Sequence, residues 1–235
     1  MVVRSHRRYL QVLTLAFAAW WTWLAFDVHD RADWLLENVL VFAFAAGLWL
    51  ARKRFVFSHA SSTLIALFLA LHALGAHYTY SLVPYDAAWQ ALTGHTFNSV
   101  FGWQRNHFDR LVHFSYGLLL AYPLRELFLR VAQARGFWSY FLPLDVTLST
   151  SAAYELIEWG AASLFGGELG AAYLGTQGDA WDAHKDMALA AAGALVAVVA
   201  SATVNARARR DFAREWAQSS PAVATRSQGG PCSDR

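Results

Sequence analysis

Residues Tyr173–Val204 read YLGTQGDAWDAHKDMALAAAGALVAVVASATV. From Ala188 on, the stretch is a run of small and aliphatic residues. A hydrocarbon core of about 30 Å takes about 20 helical residues at 1.5 Å each, so the run predicts a membrane span. The first half brings Asp179, Asp182 and Asp186 up to that span, and Asp186 falls inside it. A carboxylate at such a depth needs a partner, and the rest of the chain must supply one.

Working outward, five more segments have similar length and composition. The six predicted spans are Tyr9–Phe26, Trp34–Ala51, Ala60–Tyr78, Leu111–Leu129, Leu144–Phe165 and Ala183–Val204. The composition agrees, since 56% of the 235 residues are hydrophobic, 15% are aromatic and 11 are Trp, a profile foreign to a soluble domain with a single core. Arg4, Arg7, Arg8, Arg52, Lys53, Arg54, Arg125, Arg130, Arg135, Arg207, Arg209, Arg210 and Arg214 all fall on one side of this arrangement. The other side holds Arg31, Arg105, Arg110 and Lys185. The positive-inside rule then predicts an all-α polytopic protein with six transmembrane helices and both termini cytoplasmic. The first span follows RSHRR but runs on through WWTWLAF, so it reads as a retained anchor and not as a secretory signal. Residues 1–8 form a basic cytoplasmic tail, 9–206 the membrane domain, and 207–235 a basic and then disordered tail. The outer segment at about 79–110, aromatic and Gly-containing, reads as an interfacial loop over the mouth of the bundle. The net charge of +2 gives no support for a nucleic-acid partner. The single Cys232 lies in the tail, which leaves oxygen and imidazole as the donors for any metal within the fold.

The polar residues of the spans gather toward the outer side. Asp109 and His113 are four apart at the start of span four, Glu155 and Glu158 three apart in YELIEW, and Asp182 and Asp186 four apart at the start of span six. His72, His77 and Glu37 fall at similar depth. Taken singly, Asp109 or Asp182 reads as a helix-terminal carboxylate favouring the dipole, and Asp145, just past Pro143, reads as that outright. Glu168 and Glu215 read as solvated, and His107, His184 and Asp30 as loop residues. Asp109, Glu155, Glu158, Asp179, Asp182 and Asp186 together are another matter. Two like charges about 4 Å apart at an effective dielectric near 20 repel by roughly 4 kcal/mol. Ion pairs, protonation or a bound cation must compensate.

These positions define the candidate site. Asp109, His113, Glu155, Asp182 and Asp186 are candidate ligands of a divalent metal, with Zn, Mn, Fe or Mg all compatible with a mixed carboxylate and imidazole set. Spacings of three and four residues are those by which helix bundles build internal metal sites. Glu158 or His77 is the candidate general base, and Arg105 or Arg110 the candidate contact to a phosphate.

HYTYSLVPY (77–85), RNHFDRLVHFSYGLLLAYPLRE (105–126), YELIEW (154–159) and YLGTQGDAWDAHKDMALAAAGA (173–194) together resemble the YjdF family of bacterial inner-membrane proteins. The resemblance covers roughly residues 35–203 and implies a multi-pass protein of the bacterial cytoplasmic membrane, with no activity attached. The order D-x-x-x-H-F, E-x-x-E and D-x-x-D-x-x-x-D is also faintly similar to the VanZ-like membrane proteins, where Asn usually stands in place of Asp186. Three functions stay open. One is a metal-dependent hydrolase or transferase acting on a membrane lipid or lipid-linked headgroup. The second is a cation or small-solute transporter, for which Thr147, Ser149 and Ser151 would begin a polar route. The third is a scaffold held by a structural polar network.

Overall fold

A computed structural model describes residues 2–52 and 55–219; Lys53, Arg54, Cys232 and the tail from residue 220 lie outside the described residues. Within them are ten helices and no strand. Six are long: α1 (Val2–Leu24), α2 (Arg31–Ala51), α3 (His59–His77), α6 (Phe108–Val131), α7 (Trp138–Phe165) and α9 (Asp182–Ala208). Four are short: α4 (Tyr85–Thr93), α5 (Phe97–Phe101), α8 (Gly167–Leu174) and α10 (Phe212–Ser219). Each long helix covers all or nearly all of one of the six apolar segments, and α2, α3 and α9 are long and apolar enough to cross a membrane. The outward faces of the bundle are apolar as well, with Leu67, Leu156, Leu164, Val199 and others exposed.

Local chemistry sets the ends. Asp30 caps α2 through the amides of Ala32 and Asp33, and Ser58 caps α3 through the amide of Ser61. Helix α7 starts six residues earlier than the apolar run suggests. The Gly136 carbonyl accepts the Ser139 amide at 3.2 Å and the Ser139 hydroxyl at 2.8 Å, so the helix is nucleated before Pro143 and carries the proline buried inside it. Asp145 is therefore an exposed residue two turns into α7, which corrects its reading as a first-turn carboxylate.

The helix connections alternate between two ends of the bundle. At one end the turn before α2 meets the end of α3 (His29 amide to His77 carbonyl, 3.0 Å), and the α3–α6 segment meets the α8–α9 turn through Arg105. The opposite end holds a second polar layer. Arg125 on α6, 1% exposed, donates two hydrogen bonds to Asp211 at 2.5 and 2.8 Å and lies 4.1 Å from the ring centre of Tyr140. Glu126, fully buried, accepts the Ser58 amide at 3.0 Å at the start of α3.

Asp211 introduces α10, whose Trp216 donates to the Val56 carbonyl and whose Ala213 is fully buried. Residues 212–219 are thus a docked helix, and the disorder expected from about residue 210 does not describe them. Arg125→Ala is expected to cost about 2–3 kcal/mol, below the full penalty of an orphaned buried charge because Asp211 keeps contact with water. A thermal melt of the detergent-purified protein, and tryptic cleavage appearing at Arg207–Arg210, would report it.

Candidate functional site

The site is set by how α6 and α9 pack. A Cβ on Gly117 would overlap the Ala190 carbonyl oxygen, and one on Gly193 would overlap the Phe114 carbonyl oxygen. The two backbones therefore touch, as small residues allow between membrane helices. With Gly117 against Ala190, one turn toward the site end brings His113 level with Asp186, and the next brings Asp109 level with Asp182. Both registers are visible in the side chains.

Asp109, His113 and Asp186 each offer one ligand atom, all within 4.8 Å of one another. Helix α7 closes the third side. The His113 Nε2 is 3.6 Å from the Asp109 Oδ1 and 3.7 Å from the Glu155 Oε1, distances too long for hydrogen bonds. The Asp186 Oδ1 and the Glu155 Oε1 are buried and have no hydrogen-bond partner. Orphaned acceptors at such depth are expensive, and two of them aimed at one histidine leave room for a cation among them.

The nearby cations are committed elsewhere. Arg105 donates to Asp182 at 2.6 Å and to the Thr176 carbonyl at 2.8 Å. Arg110 reaches Asp179 at 2.5 Å and Asp182 at 3.3 Å, and Lys185 reaches Asp179 at 2.5 Å. The hydrogen bond from Lys185, with help from Arg110, holds the Asp179 carboxyl well below the usual carboxylate range. These pairs clamp the loop before α6 to the turn before α9. Among the described residues, no Lys or Arg pairs with Asp109, Glu155, Glu158 or Asp186.

The predicted residues thus separate into two groups. Asp109, His113, Glu155 and Asp186 come together, and Glu158, 8% exposed, lines a cavity of about 530 Å³ beside them. Asp182 serves as the counter-ion of both arginines and stands outside the trio. Arg105 and Arg110 are occupied by carboxylates at the positions where a phosphate contact was expected. His77 is not brought to the cavity; its Nδ1 is 2.8 Å from the Leu24 carbonyl oxygen and its ring packs edge-on against Tyr78. Ser149 is exposed, so only Thr147 and Ser151 of the expected polar route point inward.

Glu37 and His72, expected at similar depth but given no role, join the site together with Tyr80, Tyr154 and Asp33. Glu37 on α2 is buried and accepts from the Tyr154 hydroxyl at 3.1 Å. Its carbonyl oxygen is 3.3 Å from the His72 Nε2, and the His72 Nδ1 is hydrogen-bonded to the Tyr80 hydroxyl. Asp33, one turn before Glu37, is fully buried with both carboxylate oxygens unpartnered. The signal available in the sequence was the spacing of four between Asp33 and Glu37 and between Tyr154 and Glu158.

A family model described as "Predicted membrane protein (DUF2238)" matches residues 9–207. The inner membrane protein YjdF of Escherichia coli (strain K12) is 37% identical over 187 residues, which cover 79% of this chain and 85% of that protein. No solved structure matches.

Proposed function

For a chain that belongs to the DUF2238 family of membrane proteins, we propose a six-span protein of the bacterial inner membrane that acts as a metal-dependent hydrolase or transferase on a lipid or lipid-linked headgroup. The six-span topology is supported by six helices of 19 to 28 residues whose connections alternate between two ends. The bias of Arg7, Arg8, Arg52, Arg130, Arg135 and Arg207 toward the end opposite the site supports cytoplasmic termini and a site in the outer leaflet.

The observation that carries the function is the trio of Asp109, His113 and Asp186 with ligand atoms within 4.8 Å, beside two buried carboxylate oxygens without partners. Two carboxylates and an imidazole suit Zn, Mn or Fe, with Mg less well served by the imidazole. A bound divalent ion would supply Lewis acidity toward a phosphoryl or carbonyl oxygen. The chain's own part is to hold that ion from two helices fixed in register by Gly117 and Gly193, with Glu155 as a further ligand or the partner of His113. Glu158, on the cavity wall one turn along α7 from Glu155, is the candidate base. The Tyr80 and Tyr154 hydroxyls at the same wall can orient a polar headgroup. The arginine clamp keeps the loop between α3 and α6 closed over this end.

The test is turnover by protein reconstituted in vesicles of bacterial lipids and followed by mass spectrometry of released headgroups. Glu158→Gln is expected to lower the rate by about 10²-fold or more while leaving bound metal unchanged. Unchanged turnover in that variant, or no metal-dependent product from any lipid fraction, would set the enzymatic reading aside.

One observation favours the transport reading as well. Thr147, fully buried, and Ser151, 2% exposed, have hydroxyl oxygens without partners and continue from Glu155 along one face of α7. A cysteine placed at Thr147 would be labelled from the cytoplasm if that face carried a path.

A further inference from the structure

The cavity beside the trio extends far beyond what a headgroup needs. At the site end it is lined by Glu37, His72, Tyr80, Asp109, His113 and Glu158. From there the walls are mostly apolar, with Val41, Ile65, Phe68, Leu120, Leu124 and Leu127 among them and Tyr116, Thr150 and Ser151 as polar members partway along, and the cavity ends near Phe57, where α3 begins. Along α6 alone the lining runs from Asp109 to Leu127, which at 1.5 Å per residue is about 27 Å, close to the full thickness of a hydrocarbon core. A volume of about 530 Å³ drawn out over that length makes a long, narrow slot, the shape of an extended hydrocarbon chain.

The slot is also open on one side. Leu40 and Phe44 on α2 and Ile157 on α7 line it and are at the same time 39%, 39% and 48% exposed on the outside of the bundle. They form the two lips of a gap between α2 and α7. At the site end the gap is bridged by the hydrogen bond from Tyr154 to Glu37. A ligand arriving from solution would cross the clamp of Arg105, Arg110, Asp179 and Asp182, whereas one arriving from the bilayer passes only apolar side chains.

We propose that the protein binds an amphiphile with a single long hydrocarbon chain, acyl or polyprenyl. The molecule enters sideways between α2 and α7, lays its tail along α6 toward Phe57, and presents its headgroup to Asp109, His113 and Asp186. Carboxylates and imidazoles confined to one end and mostly apolar walls over the rest match such a molecule better than a soluble metabolite or a hydrated ion. The identity of the headgroup site rests on the functional reading above; the tail slot stands on its own geometry. A diacyl lipid would leave its second chain outside, in the bilayer.

The experiment uses the full-length protein in nanodiscs with two probes, a lysophospholipid and a polyprenyl phosphate, each with a diazirine at the end of its tail. After irradiation, adducts are mapped by peptide mass spectrometry. Adducts are expected at Leu124, Leu127 and Phe57, and the probe that labels decides between acyl and polyprenyl. Leu120→Trp, which fills the slot, and Ala153→Phe, which narrows the gap on α7, should each lower that labelling at least fivefold. If the tryptophan prevents folding, the map of the unmutated protein and Ala153→Phe decide. Labelling confined to outward-facing residues such as Leu67 and Val199, or slot labelling that neither variant reduces, would overturn the proposal. Bound metal is measured on the same samples: slot labelling in protein that holds no metal would sustain the tail slot and remove the metal-site reading.

Discussion

Gly117→Val is expected to produce a large loss of stability. The added side chain would meet the Ala190 carbonyl oxygen and the Ala194 amide, which are backbone atoms of α9 and cannot rotate away. Helices α6 and α9 would have to separate, at more than the roughly 1–3 kcal/mol of ordinary overpacking. At about 2–4 °C per kcal/mol for a chain of this size, the thermal midpoint should fall by about 10 °C or more. Gly117→Ala should follow in the same direction to a smaller extent. Gly47→Ala on α2, where a Cβ meets nothing within 4 Å, should be neutral or slightly stabilising. The same separation would draw Asp109 and His113 away from Asp186, so bound metal should be lost from whatever Gly117→Val protein can be purified. A melt unchanged by this substitution would mean that the close approach of α6 and α9 does not hold the bundle.

Asp186→Asn is expected to remove the metal and to destabilise the protein. The sign is the informative part. Asp186 lies beside Asp109 and Glu155 with one oxygen unpartnered, so in a metal-free protein removing its charge would relieve repulsion and raise the thermal midpoint. With a divalent ion in place the substitution removes a ligand, and the stabilisation that binding lends to the folded state goes with it. That contribution is about 2.7 kcal/mol when free ion stands at 100 times its dissociation constant. Melts of the unmutated protein with and without chelator, beside Asp186→Asn, separate the two cases. Chelator should lower the midpoint of the unmutated protein and leave that of the variant where it is.

The long helices and the pairing of Asp109 with His113 were legible for the same reason. Apolar runs near 20 residues mark the long helices whatever their neighbours, and pairs four apart such as Asp109 and His113 share a helix face by geometry alone. What could not be read was which distant partner each charge takes. Asp182 has the same local spacing to Asp186 as Asp109 has to His113, yet the loop carrying Arg105 and the start of α6 carrying Arg110 fold onto it and remove it from the trio. His77 is withdrawn from the cavity by a carbonyl at the end of α1, a contact that depends on the turn before α2. Arg125 reads in the sequence as a marker of the cytoplasmic side, and only the docking of α10 shows it to be the centre of a second buried polar layer. Helix α10 itself was obscured by its polar composition, since eight residues with one apolar stripe give a weak signal without the surface they pack on.

The proposed divalent ion, bound through Asp109, His113 and Asp186, would hold the carboxylates of the site end together. Metal analysis of the detergent-purified protein, beside Glu155→Gln and His113→Ala, tests it most directly. One divalent ion per chain is expected in the unmutated protein, with its loss in His113→Ala and weakened retention in Glu155→Gln. Unmutated protein that is folded, lipid-replete and free of stoichiometric metal would contradict it.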